Sequence, residues 1–195
     1  MLISREREKL CQAVLYFAHN TRKLGKTKLF KLLYFLDFEH YKLTGRSVTG
    51  TSYNAWPKGP VPESLFKEFD NLNADLAQCV QIHEKRTLRG SVFKNVVPMA
   101  RFSPQVFSKR ELTLLECLAT EYRDADSDDM VEATHLENRP WHEIYEVQGK
   151  RQQQIPYDLA LARGDAELMR RQAIERNEVI RNYKKDTDGS GNDTL

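Results

Sequence analysis

The chain has 195 residues, of which 40% are hydrophobic and 30% are charged, and its net charge is +2. This length allows one domain with an appendage, and it is long enough to build a core without disulfides or a structural metal. The near balance of charge does not demand nucleic acid as a partner, because the basic residues are interleaved with acidic ones.

The cysteines and the N-terminus point to the cytoplasm. Cys11, Cys79 and Cys117 are far apart and no Cys-x-x-Cys pair exists, which argues against a zinc ribbon and a thioredoxin-type motif. Reduced thiols in a cytoplasmic protein are the simplest interpretation. The first ten residues carry charge where a signal peptide needs an apolar run, and no stretch is long enough to span a membrane. We therefore expect a cytoplasmic protein without a membrane partner.

The first two predicted elements are helices. Ser4 to Asn20 has its apolar residues on one face at helical spacing. The next helix, near residues 27–43, is apolar nearly all round, and within its stretch from Leu29 to Phe38 only Lys31 and Asp37 are charged. A helix of this composition must be buried on most sides, so we expect it at the centre of the domain.

A strand and a rigid break should follow this helix. Gly45 suits the left-handed residue that ends a helix. Val48 to Ala55 is rich in β-branched and aromatic residues and predicts a short strand. Trp56 to Pro62 contains three prolines, so no helix can pass through it. Glu63 then begins a helix that runs to Phe69.

A hairpin and further helices complete the predicted fold. Residues 80–82 and 92–97 are β-like on either side of a turn signal, and with the strand at 48–55 they should form one small sheet. Ser108 and Glu111 make a capping box for a helix over 109–122. The fold class is therefore mainly α with a small antiparallel β-sheet.

Two shorter helices are expected after residue 122. Ser127, followed by two aspartates, is a second helix start, and this helix should end near Glu137. Pro140 then begins another short helix that carries Trp141.

Two blocks of residues carry a resemblance to a known family. The first block consists of the helix K-L-F-K-L-L-Y-F at 28–35, Thr44-Gly45-Arg46 and Trp56-x-x-Gly59-Pro60-Val61. The second block consists of Thr134-His135, Pro140-Trp141 and Ile155-Pro156-Tyr157-Asp158-Leu159. In this combination the chain resembles the Panacea domain, the SocA-like antitoxin domain of bacterial and phage toxin–antitoxin pairs.

The resemblance covers roughly residues 8–162, most of the chain as one domain, and it implies the role. The composition after residue 162 departs from the family pattern and predicts the remaining organisation. We expect one domain over 1–162, a helical and basic extension over 163–185, and a disordered tail over 186–195. The family implies an antitoxin that neutralises a co-encoded toxin, either by masking it or by presenting it to a protease. Such a protein is not an enzyme and needs no cofactor.

The partner surface is expected on the Tyr53–Pro62 turn, on the hairpin, or on the C-terminal helix. A rigid, partly apolar turn loses little entropy on binding, and aromatic residues often anchor interfaces. The candidate contact residues are Tyr53, Trp56, Lys58, Arg89, Arg170 and Arg171. The motif residues with a structural role are expected to be Gly59, Pro60, His135 and Trp141. We expect His135 to be a buried polar residue whose hydrogen bond fixes the end of its helix.

Catalytic and metal sites are not indicated by the sequence. There is no Gly-x-Ser-x-Gly elbow and no phosphate loop. His135 and His142 are seven residues apart with Pro140 between them, which breaks the spacing that a helical zinc site needs. We therefore expect no metal.

A nucleic-acid-binding regulator is the alternative. One basic cluster and one basic hairpin could follow a phosphate backbone. Their residues are Arg22, Lys23, Lys26, Lys28 and Lys31 in the cluster, and Lys85, Arg86, Arg89 and Lys94 on the hairpin. No helix-turn-helix, zinc finger or RNA-binding signature accompanies them.

Overall fold

The computed structural model describes residues 5–86, 92–136 and 139–161. Arg89, Arg170 and Arg171, the extension at 163–185 and the tail at 186–195 lie outside the described residues.

Helices and two short β-hairpins make up the described part of the chain. The helices are α1 (Glu6–Asn20), α2 (Lys26–Thr44), α3 (Glu63–Glu68), α4 (Ala74–Cys79), α5 (Lys109–Glu121), α6 (Ser127–His135) and α7 (Pro140–His142). The strands are β1 (Tyr53–Trp56), β2 (Gly59–Pro62), β3 (Val80–Arg86) and β4 (Val92–Pro98). Short 3-10 helices lie at Pro104–Val106 and Tyr157–Ala160, and a π-helical turn at Glu143–Val147. The predicted fold class is confirmed.

Helix α2 is the buried centre of the fold, as its composition predicts. Its apolar residues from Leu29 to Phe38 are all buried. Helices α1, α5 and α6, strand β2 and the 3-10 helix at Tyr157–Ala160 pack against it. Gly45 ends the helix with φ of 65°, and its amide donates to the Tyr41 carbonyl. Within the described residues, no helix is long and apolar enough to cross a membrane.

The caps of α5 and α6 show one correct prediction and one error. Ser108 and Glu111 form the predicted capping box at the start of α5. At α6 the capping residue is Asp126 and not Ser127, because the Asp126 carboxylate accepts the amides of Asp128 and Asp129. The Asp129 carboxylate in turn accepts the amide of Asp126, which completes a capping box. Helix α6 ends at His135, while the predicted end at Glu137 lies outside the described residues.

The predicted strand at Val48–Ala55 is wrong in its first half. The amides of Val48 and Thr49 donate to the Asp37 carboxylate of α2, at 2.8 and 2.7 Å. The hydroxyls of Thr49 and Tyr53 donate to the same carboxylate. The backbone therefore folds around a buried side chain, and only the end of the segment, β1, is a strand. Burial raises the pKa of Asp37, and these hydrogen bonds oppose the shift.

The strands form two separate antiparallel pairs, where one sheet was expected. Strand β1 pairs with β2 in the register Trp56 with Gly59, and β3 pairs with β4. The expected rigid break is therefore a hairpin with the two-residue turn Pro57-Lys58. Strand β2 tolerates Pro60 and Pro62 because proline can occupy a strand edge where no amide donor is required.

The last described segment returns to β1 and extends its pairing. The Gln152 amide donates to the Ala55 carbonyl at 2.7 Å, and the Ile155 amide donates to the Tyr53 carbonyl at 2.8 Å. The Tyr157 ring stacks on Tyr41 with ring centroids 5.1 Å apart. Strand β1 is thus held on one side by β2 and on the other by residues 152–155.

The Asp37 carboxylate should be one of the largest single contributions to stability. Substitution Asp37→Ala leaves several buried donors without an acceptor, at a cost of about 1–3 kcal/mol for each such group. We expect a loss of about 3–4 kcal/mol in the free energy of unfolding, measured by urea titration with circular dichroism. Asp70→Ala, which removes a carboxylate from an exposed ion pair with Lys94, is the control and should change the midpoint little. Equal midpoints for the two variants would contradict this role of Asp37.

Candidate partner-binding surface

The β1–β2 turn presents a small exposed surface beside a half-buried tryptophan. Pro57 and Lys58 are exposed, whereas Gly59 and Pro60 are buried. The Trp56 ring packs on Phe66 with ring centroids 4.8 Å apart. The turn therefore offers a proline ring and an ammonium group to solvent, next to an aromatic side chain that is already packed.

Trp141 fixes the backbone at the start of this turn through a hydrogen bond. Its side chain is buried, and its indole N–H donates to the Trp56 carbonyl at 3.0 Å. His135 stacks on the Trp141 ring with centroids 3.8 Å apart and nearly parallel planes, and Tyr145 stacks on it at 4.7 Å. The two halves of the Thr-His and Pro-Trp motif thus meet in one aromatic stack.

His135 is positioned by ring stacking, where a hydrogen bond was expected. Its Nε2 atom is buried without a hydrogen-bond partner among the described residues, so stacking on Trp141 is the contact that places the ring. Burial lowers the pKa of His135, and the nearby Lys31 ammonium lowers it further. A neutral ring suits this environment, because burial and the Lys31 ammonium both disfavour the charged form and outweigh the opposing effect of the Glu146 carboxylate.

Lys31 holds the other side of the turn from within the core. Its side chain is 2% exposed, and its ammonium donates to the Pro60 carbonyl at 2.8 Å. Burial lowers the pKa of Lys31 to about 7. A lysine near its midpoint at neutral pH can remain in the core because the cost of its charge is reduced by partial deprotonation.

Position 59 needs a glycine for two reasons: its backbone angle, and the lack of space for a side chain beside its neighbours. Its φ is 95°, a conformation that residues with a side chain rarely adopt. A Cβ at this position would lie 2.6 Å from Lys31 Nζ and 2.7 Å from Thr134 Oγ1. The close approach of β2 to α2 and α6 therefore depends on the missing side chain.

The predicted contact residues do not share one environment. Tyr53 has no exposed surface and its hydroxyl donates to Asp37, so its role is structural and we remove it from the candidate surface. Lys58 is exposed and Trp56 is partly exposed, so both remain candidates. Arg89, Arg170 and Arg171 lie outside the described residues.

The residues of the basic cluster that suggested nucleic-acid binding lie in different environments. Lys28 and Lys31 are buried, and the Lys28 ammonium donates to three backbone carbonyls. The Lys26 ammonium lies 3.8 Å from the centre of the Phe66 ring, and Arg22 pairs with Asp124. Most of these charges are therefore not available as one phosphate-binding face.

The hairpin retains only part of its predicted basic surface. Lys85 and Arg86 are exposed on β3, but Lys94 on β4 forms an ion pair with Asp70 at 2.7 Å.

Metal ligands and thiols are scattered in the described part of the chain. No group of three or more His, Cys, Asp or Glu side chains is placed to hold a metal ion there. Cys11 and Cys79 are buried, and Cys117 is exposed on α5. Burial raises the pKa of Cys11 to about 12, so this thiol is a poor nucleophile.

The anchoring contacts of Lys31 and Asp37 are not among the sequence-based predictions, although the sequence contains a signal for them. Lys31 and Asp37 are the two charged residues in the apolar stretch of α2. Charged residues in such a helix must find partners when buried, so their presence predicts a polar anchor even though the partner cannot be identified.

The fold and this surface define a mainly helical domain that presents a preorganised turn. A family model described as "Antitoxin SocA-like, Panacea domain" matches residues 29–142, which is more than half of the chain. The chain therefore belongs to the SocA-like antitoxin family with a Panacea domain. Comparison with curated proteins gives no significant match, and comparison with solved structures gives none either.

Substitution Gly59→Ala should destabilise the protein more than the same change at a glycine with free space. Gly149 also has a positive φ of 64°, but a Cβ added there would meet nothing within 4 Å. We expect Gly149→Ala to cost about 1–2 kcal/mol for its backbone alone. Gly59→Ala should cost about 3–4 kcal/mol in urea unfolding, because the contacts with Lys31 and Thr134 add to the backbone strain. Equal costs would show that the neighbours do not constrain Gly59.

Lys31 should make the stability depend on pH above neutrality. Its pKa is lower in the folded state than in the unfolded chain, so between about pH 7 and 10 the unfolded state binds more protons. The wild-type protein therefore gains stability as the pH rises, by up to about 1.4 kcal/mol per pH unit. Lys31→Met lacks this contribution, and its stability relative to the wild type should fall from pH 7 to pH 9.5. A difference that stays constant across this range would contradict a buried, titrating Lys31.

Proposed function

We propose that this protein is an antitoxin that binds a co-encoded protein toxin and neutralises it. Membership of the SocA-like antitoxin family is the observation that supports this proposal. The protein acts by binding and not by catalysis, and both direct masking of the toxin and its presentation to a cytoplasmic protease fit this role.

The β1–β2 turn is our first candidate for a toxin contact. Its backbone is fixed by Trp141 at the Trp56 carbonyl and by Lys31 at the Pro60 carbonyl. Pro57 and Lys58, between these two points, face solvent. A surface that is already ordered loses little conformational entropy when a partner binds, so more of the contact energy contributes to affinity.

The folded unit in this proposal extends beyond the segment that the family model matches. Helix α1 precedes residue 29 and contacts α5, α4 and β4. After residue 142, residues 152–155 hydrogen-bond to β1. We therefore propose one domain over 1–162 and assign toxin specificity to the exposed turn, the β3–β4 hairpin and the segment 163–185.

The direct test is to co-express this protein with the product of the adjacent gene. Expression of that product alone should stop growth, and co-expression should restore growth and yield a stable complex on affinity purification. Rescue without a complex would favour delivery to a protease. A harmless adjacent product that does not co-purify would contradict the antitoxin proposal, and salt-dependent binding to nucleic acid would then be measured.

The charge reversal Lys58→Glu tests the turn within the same assay. We expect at least a fivefold loss of toxin affinity, because a reversed charge at the edge of an interface changes electrostatic complementarity. Arg110→Glu, an equal change of charge at an exposed position on α5, is the matched control and should bind as the wild type does. Unchanged affinity of Lys58→Glu would remove the turn from the interface.

A further inference from the structure

A cavity beside the C-terminal half of α2 has no part in the structural and binding roles described above. It has a volume of about 370 Å³, and its lining includes Tyr34, Phe38, Glu39, Lys42, Arg139 and Ala160. Residues from α2, from the turn before α7 and from the last 3-10 helix therefore meet around it. Both motif blocks of the family contribute, since α2 carries the first block and Pro140, which also lines the cavity, belongs to the second.

The floor and the rim of this cavity differ in chemistry. Tyr34 and Phe38 on the floor are aromatic, with 2% and 4% of their surfaces exposed. At the rim, the Arg139 guanidinium donates to the Glu39 carboxylate at 2.7 Å, so these two charges satisfy each other. Lys42 is exposed and takes part in no ion pair among the described residues, which leaves the rim with one uncompensated positive charge.

Most of the residues that line this cavity have no charge. Besides the three charged residues at the rim, the lining consists of apolar and aromatic side chains, namely Tyr34, Phe35, Phe38, Pro140, Leu159 and Ala160. Aromatic residues contribute much of the binding energy in protein interfaces, so this lining suits an apolar side chain of a partner.

We propose that this cavity receives one or two apolar side chains of the toxin, with a neighbouring aspartate or glutamate that pairs with Lys42. The inference rests on the proposed function and adds a location and a chemistry to it. The size limits the occupant, because pockets of about 300–1,000 Å³ hold groups no larger than a small ligand. A whole α-helix, about 10–12 Å wide, does not fit. The uncompensated charge of Lys42 favours a negatively charged group on the toxin, because a carboxylate forms a charge-assisted hydrogen bond with an ammonium group.

The test uses the full chain, the purified product of the adjacent gene and two kinds of substitution. Lys42→Glu reverses the charge at an exposed position and should leave the fold intact. Ala160→Phe fills the cavity with a larger side chain. Arg110→Glu, which changes the net charge as Lys42→Glu does but does not line the cavity, is the matched control. Thermal unfolding of each variant shows whether it is folded, and isothermal titration gives its affinity.

We expect Lys42→Glu and Ala160→Phe each to weaken binding at least tenfold, while Arg110→Glu binds as the wild type does. Overlapping synthetic peptides from the same gene product should then identify a segment that has an acidic residue beside an apolar one and that binds the wild type but not Lys42→Glu. If Ala160→Phe does not fold, the Lys42→Glu result and the peptide result still decide the matter.

Several outcomes overturn the inference without affecting the proposed function. Wild-type affinity in both cavity variants, with the toxin still bound, would place the interface elsewhere. Loss of binding in Lys42→Glu alone, with Ala160→Phe folded and fully active, would exclude insertion into the cavity. Tighter binding by Lys42→Glu would contradict an acidic occupant. If the wild type restores growth without forming a complex, this inference fails while the antitoxin proposal stands. If the wild type neither restores growth nor forms a complex, both fail.

Discussion

Two charged side chains in the apolar stretch of α2 from Leu29 to Phe38 determine the path of the segment that follows this helix. Asp37 accepts the amides of Val48 and Thr49, and Lys31 donates to the Pro60 carbonyl. Burial of a charge is costly unless the charged group finds hydrogen-bond partners, so the chain between these contacts has few alternative conformations in which both groups are satisfied. The central helix thus positions the β1–β2 hairpin through polar contacts as well as through its apolar surface.

The same arrangement fixes the backbone beneath the two surfaces that we propose as partner contacts. Trp141 and Lys31 hold the backbone on either side of Pro57 and Lys58, while the rim of the α2 cavity is set by the pair of Glu39 and Arg139. Both candidate surfaces are therefore formed in the absence of a partner. Affinity then depends on a few exposed residues around a stable scaffold, and those residues can change without loss of the fold.

The parts of the fold that depend on local sequence could be predicted, and those that depend on distant partners could not. Helical periodicity, Gly45 and the Ser108 capping box located α2 and α5 correctly. The strand expected at Val48 failed because a side chain of another element takes the backbone amides of Val48 and Thr49. In the same way, the predicted basic cluster does not form one exposed face, because Lys28 and Lys31 are buried on α2.

Native-state hydrogen exchange of the wild-type protein tests most directly whether α2 fixes this segment. The amides of Val48 and Thr49 donate to Asp37, and those of Ala55 and Ile155 join β1 to the last described segment. We predict that all four exchange as slowly as amides in the middle of α2, which requires cooperative unfolding of the core. Exchange of Val48 and Thr49 at the rate of an unstructured peptide, while α2 remains protected, would contradict the account.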